Sequence, residues 1–192
     1  MAKTLRQEHT EQTRLALISA ATRLFTEHGY DSTSIDELAG AARVTRGALY
    51  HHFSGKQDIF GAVRDAVDAA VVDRVRAAAA GPGSAQDRMG RVLDVYFEAS
   101  RDPAYRAIVL GESRAAREND LRYTPAMSGV VGMLVRELAD AGEITVEDPQ
   151  MLTRLLCATL YEVASAAGSQ SPETGRYAKK IICHMLFGDR QG

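Results

Sequence analysis

The spacing of the prolines most limits what this chain can fold into. All five lie after residue 81, and neighbouring prolines are 21 to 24 residues apart: Pro82, Pro103, Pro125, Pro149 and Pro172. Proline disrupts the interior of a helix but is tolerated in its first turn. The segments between the prolines are rich in Ala, Leu, Arg and Glu, which favour helix, and no hairpin signal or sustained alternation of apolar and polar residues occurs. We therefore predict an all-α fold of about nine helices.

Residues at the expected helix starts support this interpretation. Ser84, with Asp87 three residues later, resembles a capping box. Asp148 and Ser171 each precede a proline, which places a capping residue directly before the first helical position. The prolines therefore mark helix starts in the second half of the chain.

The composition is that of a soluble globular protein. Of the 192 residues, 45% are hydrophobic and 25% are charged, which excludes a largely disordered chain, and the length allows one or two domains. No apolar run reaches the roughly 18–20 uncharged residues that cross a bilayer. Residues 1–8 lack the apolar segment of a secretory signal. The sequence therefore predicts a cytoplasmic protein without a membrane partner.

Cysteine and histidine form no recognisable metal or catalytic motif. Cys157 and Cys183 are far apart and predict two buried reduced thiols, with a disulfide or redox switch as the alternative. His51 and His52 are adjacent, so they point different ways on a helix, and no third ligand follows at metal spacing. Because no phosphate loop, Glu-x-x-His pair or nucleophile triad stands out, we expect no metal, cofactor or catalytic residue. A small helical enzyme is the remote alternative.

The first 56 residues predict three helices separated by turn residues. The first helix ends before Gly29, and its apolar face comprises Leu17, Ile18, Ala21, Leu24 and Phe25. A second helix of about two turns follows the cap candidate Ser34, and its apolar positions are Ile35, Leu38, Ala39 and Ala42. A third runs from the cap candidate Thr45 to Phe53, and Ser54 with Gln57 predicts the cap of a longer fourth helix.

Two short helices joined by a tight turn and supported by a longer one form a helix-turn-helix pattern. The third helix is anchored by Val44, Ala48, Leu49 and Phe53. Its free face carries no carboxylate and comprises Thr45, Arg46, Gly47, Tyr50 and His51. A helix of this size fits the major groove of B-DNA, where an arginine can pair with guanine and a glycine allows close approach. Side chains that can donate to phosphate lie around it: Thr33, Ser34, Tyr50, His52 and Lys56.

One pattern spans roughly residues 10–63 and comprises Thr13, Arg14, residues 20–39 (AATRLFTEHGYDSTSIDELA), residues 44–53 (VTRGALYHHF) and Lys56. This pattern resembles the TetR family of bacterial transcriptional regulators. The resemblance implies a homodimeric repressor whose first three helices bind one half-site of a palindromic operator. It also implies that the fourth helix links this head to a ligand-binding half and that the last two helices form most of the dimer interface. By position, the implied DNA contacts fall on the groove and phosphate residues named above. Arg43 departs from the pattern, because the family usually has glycine in this turn, and it adds a cation near the duplex.

The chain thus divides into a helix-turn-helix head, residues 1–56, and an effector-binding and dimerisation domain, residues 57–192. The head holds seven Lys and Arg against six Asp and Glu, and the remainder holds 16 against 19. This asymmetry is too small to predict nucleic-acid binding by itself, so the prediction depends on the motif.

The second domain offers aromatic and methionine side chains that core packing explains as readily as ligand binding. If a cavity lies between its helices, we expect it to be lined by Tyr96, Tyr105, Tyr123, Met127 and Tyr161. Their character predicts a hydrophobic or aromatic effector of unknown identity. A helix near residues 155–167 that is apolar on much of its circumference, together with Ile181 and Met185 in the last helix, predicts a four-helix dimer interface. A monomer with a deep core helix is the alternative.

The function predicted from the sequence is that of a repressor that an effector releases from its operator. A DNA-binding regulator without an effector, or an activator, is the alternative.

Overall fold

The computed structural model describes residues 5–111, 124–166 and 171–188. Within these ranges the chain forms nine helices and no strand, which confirms the all-α prediction. In chain order the helices are α1 (Leu5–His28), α2 (Ile35–Ala41), α3 (Arg46–His52), α4 (Lys56–Ala79), α5 (Ala85–Ala99), α6 (Pro103–Ile108), α7 (Pro125–Asp140), α8 (Pro149–Ser165) and α9 (Pro172–Phe187). Below, α1–α3 are called the head and α5–α9 the bundle, and α4 joins them.

The prolines occupy the positions that their spacing predicts. Four of them lie in the first turn of a helix, in α6, α7, α8 and α9, and Pro82 lies in the break between α4 and α5. The predicted caps Asp148 and Ser171 each accept hydrogen bonds from first-turn N–H groups. Helix boundaries in the bundle are therefore set by local chemistry that the sequence displays.

Ser84 and Asp87 form the predicted capping box at the start of α5. The Asp87 amide donates to Ser84 Oγ at 3.1 Å, and the Asp87 carboxylate accepts from the Ser84 amide at 3.0 Å. Hydrogen bonds from the Ser84 side chain and backbone lower the pKa of Asp87, because they favour the charged carboxylate.

The cap of α4 differs from the prediction. The helix begins at Lys56, with Gly55 as the capping residue and no side-chain cap. Ser54 instead donates from its amide and its hydroxyl to the Asp58 carboxylate, at 2.8 and 3.1 Å. The predicted pairing of Ser54 with Gln57 is therefore wrong, because the helix starts one residue later and brings Asp58 into reach.

Two hydrophobic cores share α4. The first combines head residues with three α4 residues, Ile59, Phe60 and Val63, and with Ile108 of α6. The second contains the remaining apolar face of α4 and the inner faces of α5, α7, α8 and α9. Val67 of α4 packs against both cores. Since burial of each large apolar side chain contributes about 1.5–3 kcal/mol, this shared helix ties the head firmly to the bundle.

Close contact between α5 and α9 requires a glycine. A Cβ atom at Gly175 would lie 2.9 Å from Cβ of Phe97, which is closer than packed carbon atoms approach. Any larger residue at position 175 would therefore push α9 away from α5.

Both cysteines are free. Cys157 is buried as predicted, whereas Cys183 is only half-buried, which corrects the expectation of two buried thiols. Burial raises the pKa of both thiols, so both stay in the less reactive protonated form at neutral pH.

Candidate nucleic-acid interface

The α2 helix is fixed by a reciprocal cap between Ser34 and Glu37. The Glu37 amide donates to Ser34 Oγ at 3.2 Å, and the Ser34 amide donates to the Glu37 carboxylate at 2.7 Å. The Ser34 hydroxyl also donates to that carboxylate at 2.8 Å. The bond from the Ser34 amide is the main cause of the lowered pKa of Glu37, and the bond from the Ser34 hydroxyl adds to it. Ser34 is exposed, so a phosphate contact by its hydroxyl stays a prediction, although the carboxylate competes for the proton.

The turn between α2 and α3 is a Schellman turn. The Val44 amide donates to the Ala39 carbonyl and the Arg43 amide to the Gly40 carbonyl, both at 3.0 Å, which is the pairing that defines this turn. Arg43 takes φ 57° and is the one non-glycine residue with positive φ in the described ranges. This left-handed conformation costs on the order of 1 kcal/mol. Arg43 is exposed, so its predicted place near the duplex stays a prediction.

The α3 helix exposes one face and buries the other. Its cap is Thr45, whose hydroxyl oxygen accepts from the Ala48 amide at 3.1 Å. Leu49 is 0% exposed and Phe53, just after the helix, is 2% exposed. The opposite face is exposed as the sequence predicts, at Thr45, Arg46, Gly47, Tyr50 and His51.

Arg46 is held in place by two neighbours. Its Nη1 donates to both carboxylate oxygens of Asp36, each at 3.2 Å, and its guanidinium carbon lies 5.7 Å from the Tyr50 ring centroid. A hydrogen bond to Tyr50 and the charge of Asp36 raise the pKa of Arg46, so it is always charged. Sequence reasoning missed Asp36, because a ten-residue separation across a turn gives no periodic signal.

Among the described residues, there is open space where a side chain at Gly47 would lie. A Cβ atom built there would meet only Thr45 Oγ1, at 4.0 Å. Glycine weakens a helix by up to about 1 kcal/mol relative to alanine. Because packing within the described residues does not demand glycine here, close approach of an external backbone is a physical reason for it.

Three of the residues predicted to contact phosphate are buried or half-buried. Thr33 is 1% exposed, and its hydroxyl donates to the Gly29 carbonyl at 2.8 Å. This burial does not fit the predicted contact of its side chain with phosphate. The Lys56 ammonium lies against the α1–α2 turn and donates to the Tyr30 carbonyl at 2.8 Å. His52 is half-buried, and desolvation, His51 and Arg14 together lower its pKa.

The residues predicted to line an effector cavity lie mainly in the bundle core. Tyr96, Tyr105 and Met127 are 3–5% exposed, and the rings of Tyr96 and Tyr105 meet at 90° with centroids 6.5 Å apart. Tyr161 is half-buried and donates to the Leu110 carbonyl at 3.4 Å. Tyr123 lies outside the described residues.

An unexpected carboxylate lies near these tyrosines. Asp68 of α4 is 7% exposed, and burial raises its pKa although a hydrogen bond with Thr124 opposes the shift. Its charge also contributes to the raised pKa of Tyr105, whose main cause is burial. The burial of Asp68 could not be predicted from the sequence, because a lone aspartate in a stretch of α4 with several other charged residues has no distinctive pattern.

A cavity of about 370 Å³ opens where α1, α4, α5 and α6 meet. Its lining is mostly small and apolar and includes Thr22, Val67, Val71 and Tyr105. Of the five residues predicted for an effector site, Tyr105 belongs to this lining. A second depression, of about 480 Å³, lies between α4 and α7 and includes none of the five.

Apolar side chains also stand exposed on α8 and α9. They recur every four residues, and their exposed fractions are 48% for Met151, 59% for Leu155, 67% for Tyr177, 59% for Ile181 and 77% for Met185. Large exposed apolar patches are typical of interaction sites, and these five residues are among the exposed large apolar side chains of the described residues. Within the described ranges, no group of three or more metal-ligating side chains occurs and no helix is long and apolar enough to span a membrane.

The capped α2, the tight turn and the exposed face of α3 define a helix-turn-helix domain. Residues 17–63 match the family model described as bacterial regulatory proteins, tetR family. Over this segment the chain is similar to the TetR family of bacterial transcriptional regulators.

Known proteins resemble the head in sequence and the whole chain in fold. A 60-residue segment is 48% identical to the HTH-type transcriptional regulator AcrR of Shigella flexneri, covering 31% of this chain and 27% of that protein. The match thus spans less than a third of that relative. A TetR-family transcriptional regulator from Pectobacterium atrosepticum is 28% identical over 96% of both chains, with a TM-score of 0.78. AibR in complex with isovaleryl coenzyme A and operator DNA shares the fold, at 18% identity over 92% of this chain and 98% of that one, with a TM-score of 0.66.

Proposed function

We propose that this protein is a ligand-responsive transcriptional repressor that binds a palindromic operator as a homodimer. The observation that carries the proposal is the two-sided α3 helix, in which Leu49 is fully buried while Arg46, Tyr50 and His51 are exposed. A seven-residue helix with one free face, no acidic residue and a capped N-terminus is suited to the major groove. The protein would act in the cytoplasm, where bacterial DNA lies.

Within this proposal, residues of the head have distinct tasks. Arg46 reads a guanine edge, Gly47 permits close approach, and Thr45, Tyr50 and His51 contact bases or backbone at the groove. Arg43, Ser34 and His52 face phosphate. Asp36 orients Arg46 in the free protein and competes with DNA for it, since both need the same guanidinium donors.

The exposed apolar side chains on α8 and α9 form the proposed dimer interface. A C2 dimer would bury Leu155, Tyr177, Ile181 and Met185 of both subunits in a four-helix arrangement. It would also place two α3 helices about one duplex turn (about 34 Å) apart, which matches an inverted repeat.

The dimer can be tested by charge insertion. Ile181→Glu and Met185→Glu together should convert the protein to a monomer in sedimentation equilibrium and abolish cooperative binding to an inverted repeat. Met133→Glu on α7 is the matched control, because Met133 is 43% exposed but lies outside α8 and α9. A dimer that survives the double substitution contradicts this interface.

The effector would bind to the effector-binding and dimerisation domain and shift the spacing of the two α3 helices. A ligand can move that equilibrium only by its difference in affinity between the two conformations. We place the division between the halves within α4, because α4 contributes to both cores. The cavity of about 370 Å³ where α1, α4, α5 and α6 meet has a mostly apolar lining, with Arg74 and Asp102 as its charged members, which suits a small hydrophobic or aromatic effector.

Footprinting tests the function directly. The purified protein should protect an inverted repeat in the DNA upstream of its own gene, and a duplex selected from a random-sequence library should carry the same repeat. Loss of protection on adding a compound found by thermal-shift screening would support the effector. Absence of any sequence preference at moderate salt would contradict the whole proposal.

A further inference from the structure

Lys56, the first residue of α4, is bound by the turn that joins α1 to α2. Its Nζ donates to the carbonyl oxygens of Tyr30 at 2.8 Å and Thr33 at 2.9 Å. A third bond reaches the Asp31 carbonyl at 3.4 Å. An ammonium group has three N–H donors, so these three acceptors use all of them. The donors that a phosphate would need are occupied by backbone.

An aromatic cluster supports the same contact. Lys56 Nζ lies 4.3 Å from the Tyr30 ring centroid, a distance at which a cation is attracted to the ring face. The Tyr30 ring packs against Phe25 of α1, with centroids 5.6 Å apart, and against Phe60 of α4, with centroids 5.1 Å apart. The first two turns of α4 are therefore joined to the turn by both polar and apolar contacts.

The turn leads directly to the groups that face DNA. Thr33, which accepts from Lys56, is followed by the α2 cap Ser34. Two residues further on, Asp36 holds Arg46 of α3. A displacement of the α4 start would thus move the first turn of α2, and with it the carboxylate that orients Arg46.

We propose that Lys56 is a positioning residue that locks the start of α4 to the α1–α2 turn, so that movements of α4 reach the recognition helix. The three carbonyl contacts support the positioning role of Lys56, and the effect of that role on DNA binding rests on the proposed function. It replaces the predicted phosphate contact of Lys56, and the two roles differ in measurable ways. A lost phosphate contact lowers the slope of log affinity against log salt by about one, whereas a lost internal contact leaves that slope unchanged.

Hydrogen exchange on the intact protein tests the lock without DNA. Lys56→Met keeps the aliphatic stem and removes the donors, so amides in residues 33–38 and in residues 59–63 should exchange faster together, by about tenfold. Lys56→Arg, which restores a cation with donors, should recover much of the protection. Thr33→Val is the matched control, because it removes the hydroxyl bonds to Gly29 and Leu24 but keeps the backbone carbonyl that accepts from Lys56. It should affect residues 33–38 alone.

Salt titration on a duplex selected from a random library completes the test. Lys56→Met should bind more weakly than the wild type with the same salt slope, and Arg136→Met, an exposed charge deletion on α7, should change neither. A slope reduced by about one with unchanged exchange would overturn the proposal in favour of a phosphate contact. If Lys56→Met speeds amide exchange in residues 33–38 alone, the proposal is also overturned. If the selection yields no preferred duplex, the proposed function fails, while the exchange data still decide the role of Lys56.

Discussion

The head and the bundle are both helical and both packed around buried cores, yet their surfaces carry different information. In the head, each short helix buries one side and exposes the other, as Leu49 and Arg46 of α3 illustrate. In the bundle, the aromatic side chains that suggest a ligand site, such as Tyr96, are mostly buried among their neighbours. The periodicity of a short helix therefore predicts which face is exposed, whereas the periodicity of a bundle helix does not distinguish core residues from residues that line a cavity.

The two regions are also less separate than the sequence suggests, and Ile108 allows the largest test of this. Ile108 belongs to α6 but is 0% exposed within the head core. Ile108→Ala should lower the free energy of unfolding by about 2–5 kcal/mol and speed amide exchange in the head as well as in α6. Urea unfolding followed by circular dichroism, with site-resolved exchange, measures both effects.

Leu110 supplies the matched control for Ile108. It is 3% exposed and lies two residues further along, but it packs in the bundle core. Leu110→Ala should lower the free energy of unfolding by a comparable amount, while the amides of the head keep their protection from exchange. If Ile108→Ala also spares the head, the two cores are independent, and the comparison of head and bundle becomes one of two autonomous domains.

Arg46→Ala tests the outward face of the head. If Arg46 reads a base, its loss should weaken binding to the selected duplex by about tenfold to a hundredfold and relax sequence preference at one position of each half-site. Arg23→Ala is the control, because Arg23 is also exposed and paired, at 3.2 Å with Glu27, but lies on α1. Equal sequence preference in wild type and Arg46→Ala would remove Arg46 from the reading surface.

The same contrast explains how much of the molecule the sequence predicts. Helix type, the proline-marked starts and the exposed face of α3 follow from local rules, because caps and apolar periodicity act over a few residues. The sequence alone does not predict the backbone conformation of Arg43, which takes φ 57° in a turn where the family usually has glycine.

Contacts between distant segments could not be predicted in this way. Thr33 and Ser34 are neighbouring small hydroxyl residues, yet one is buried by the α1–α2 turn and the other exposed. The Lys56 contacts and the insertion of Ile108 join residues 23 or more positions apart. No single-sequence pattern encodes such pairs, because they depend on how the helices assemble.

Matched cap substitutions sharpen the comparison at a smaller scale. Thr45→Ala in the head and Ser84→Ala in the bundle each remove one side-chain cap, so each should lower the free energy of unfolding by about 1 kcal/mol. Only Thr45→Ala should also weaken DNA binding, because Thr45 lies on the exposed face of α3. Thermal unfolding and operator binding of both variants would measure this, and an equal loss of DNA affinity in the two would show that stability alone controls binding.

His52 offers the smallest and most specific effect. Burial, His51 and Arg14 lower its pKa in the free protein, and Glu11 opposes them. Because a nearby phosphate would stabilise the imidazolium, the pKa should rise on DNA binding, and affinity should increase as pH falls from 7 towards 6, by less than about tenfold. The effect of His52 on the pH dependence of folding stability has the opposite sign. The folded-state pKa is below that of the unfolded chain, so the stability contribution of His52 is present above pH of about 6.5 and is lost as pH falls below it. His52→Gln should flatten both profiles relative to wild type while the other histidines remain. Identical pH profiles of DNA affinity in the two proteins would place His52 away from the phosphates.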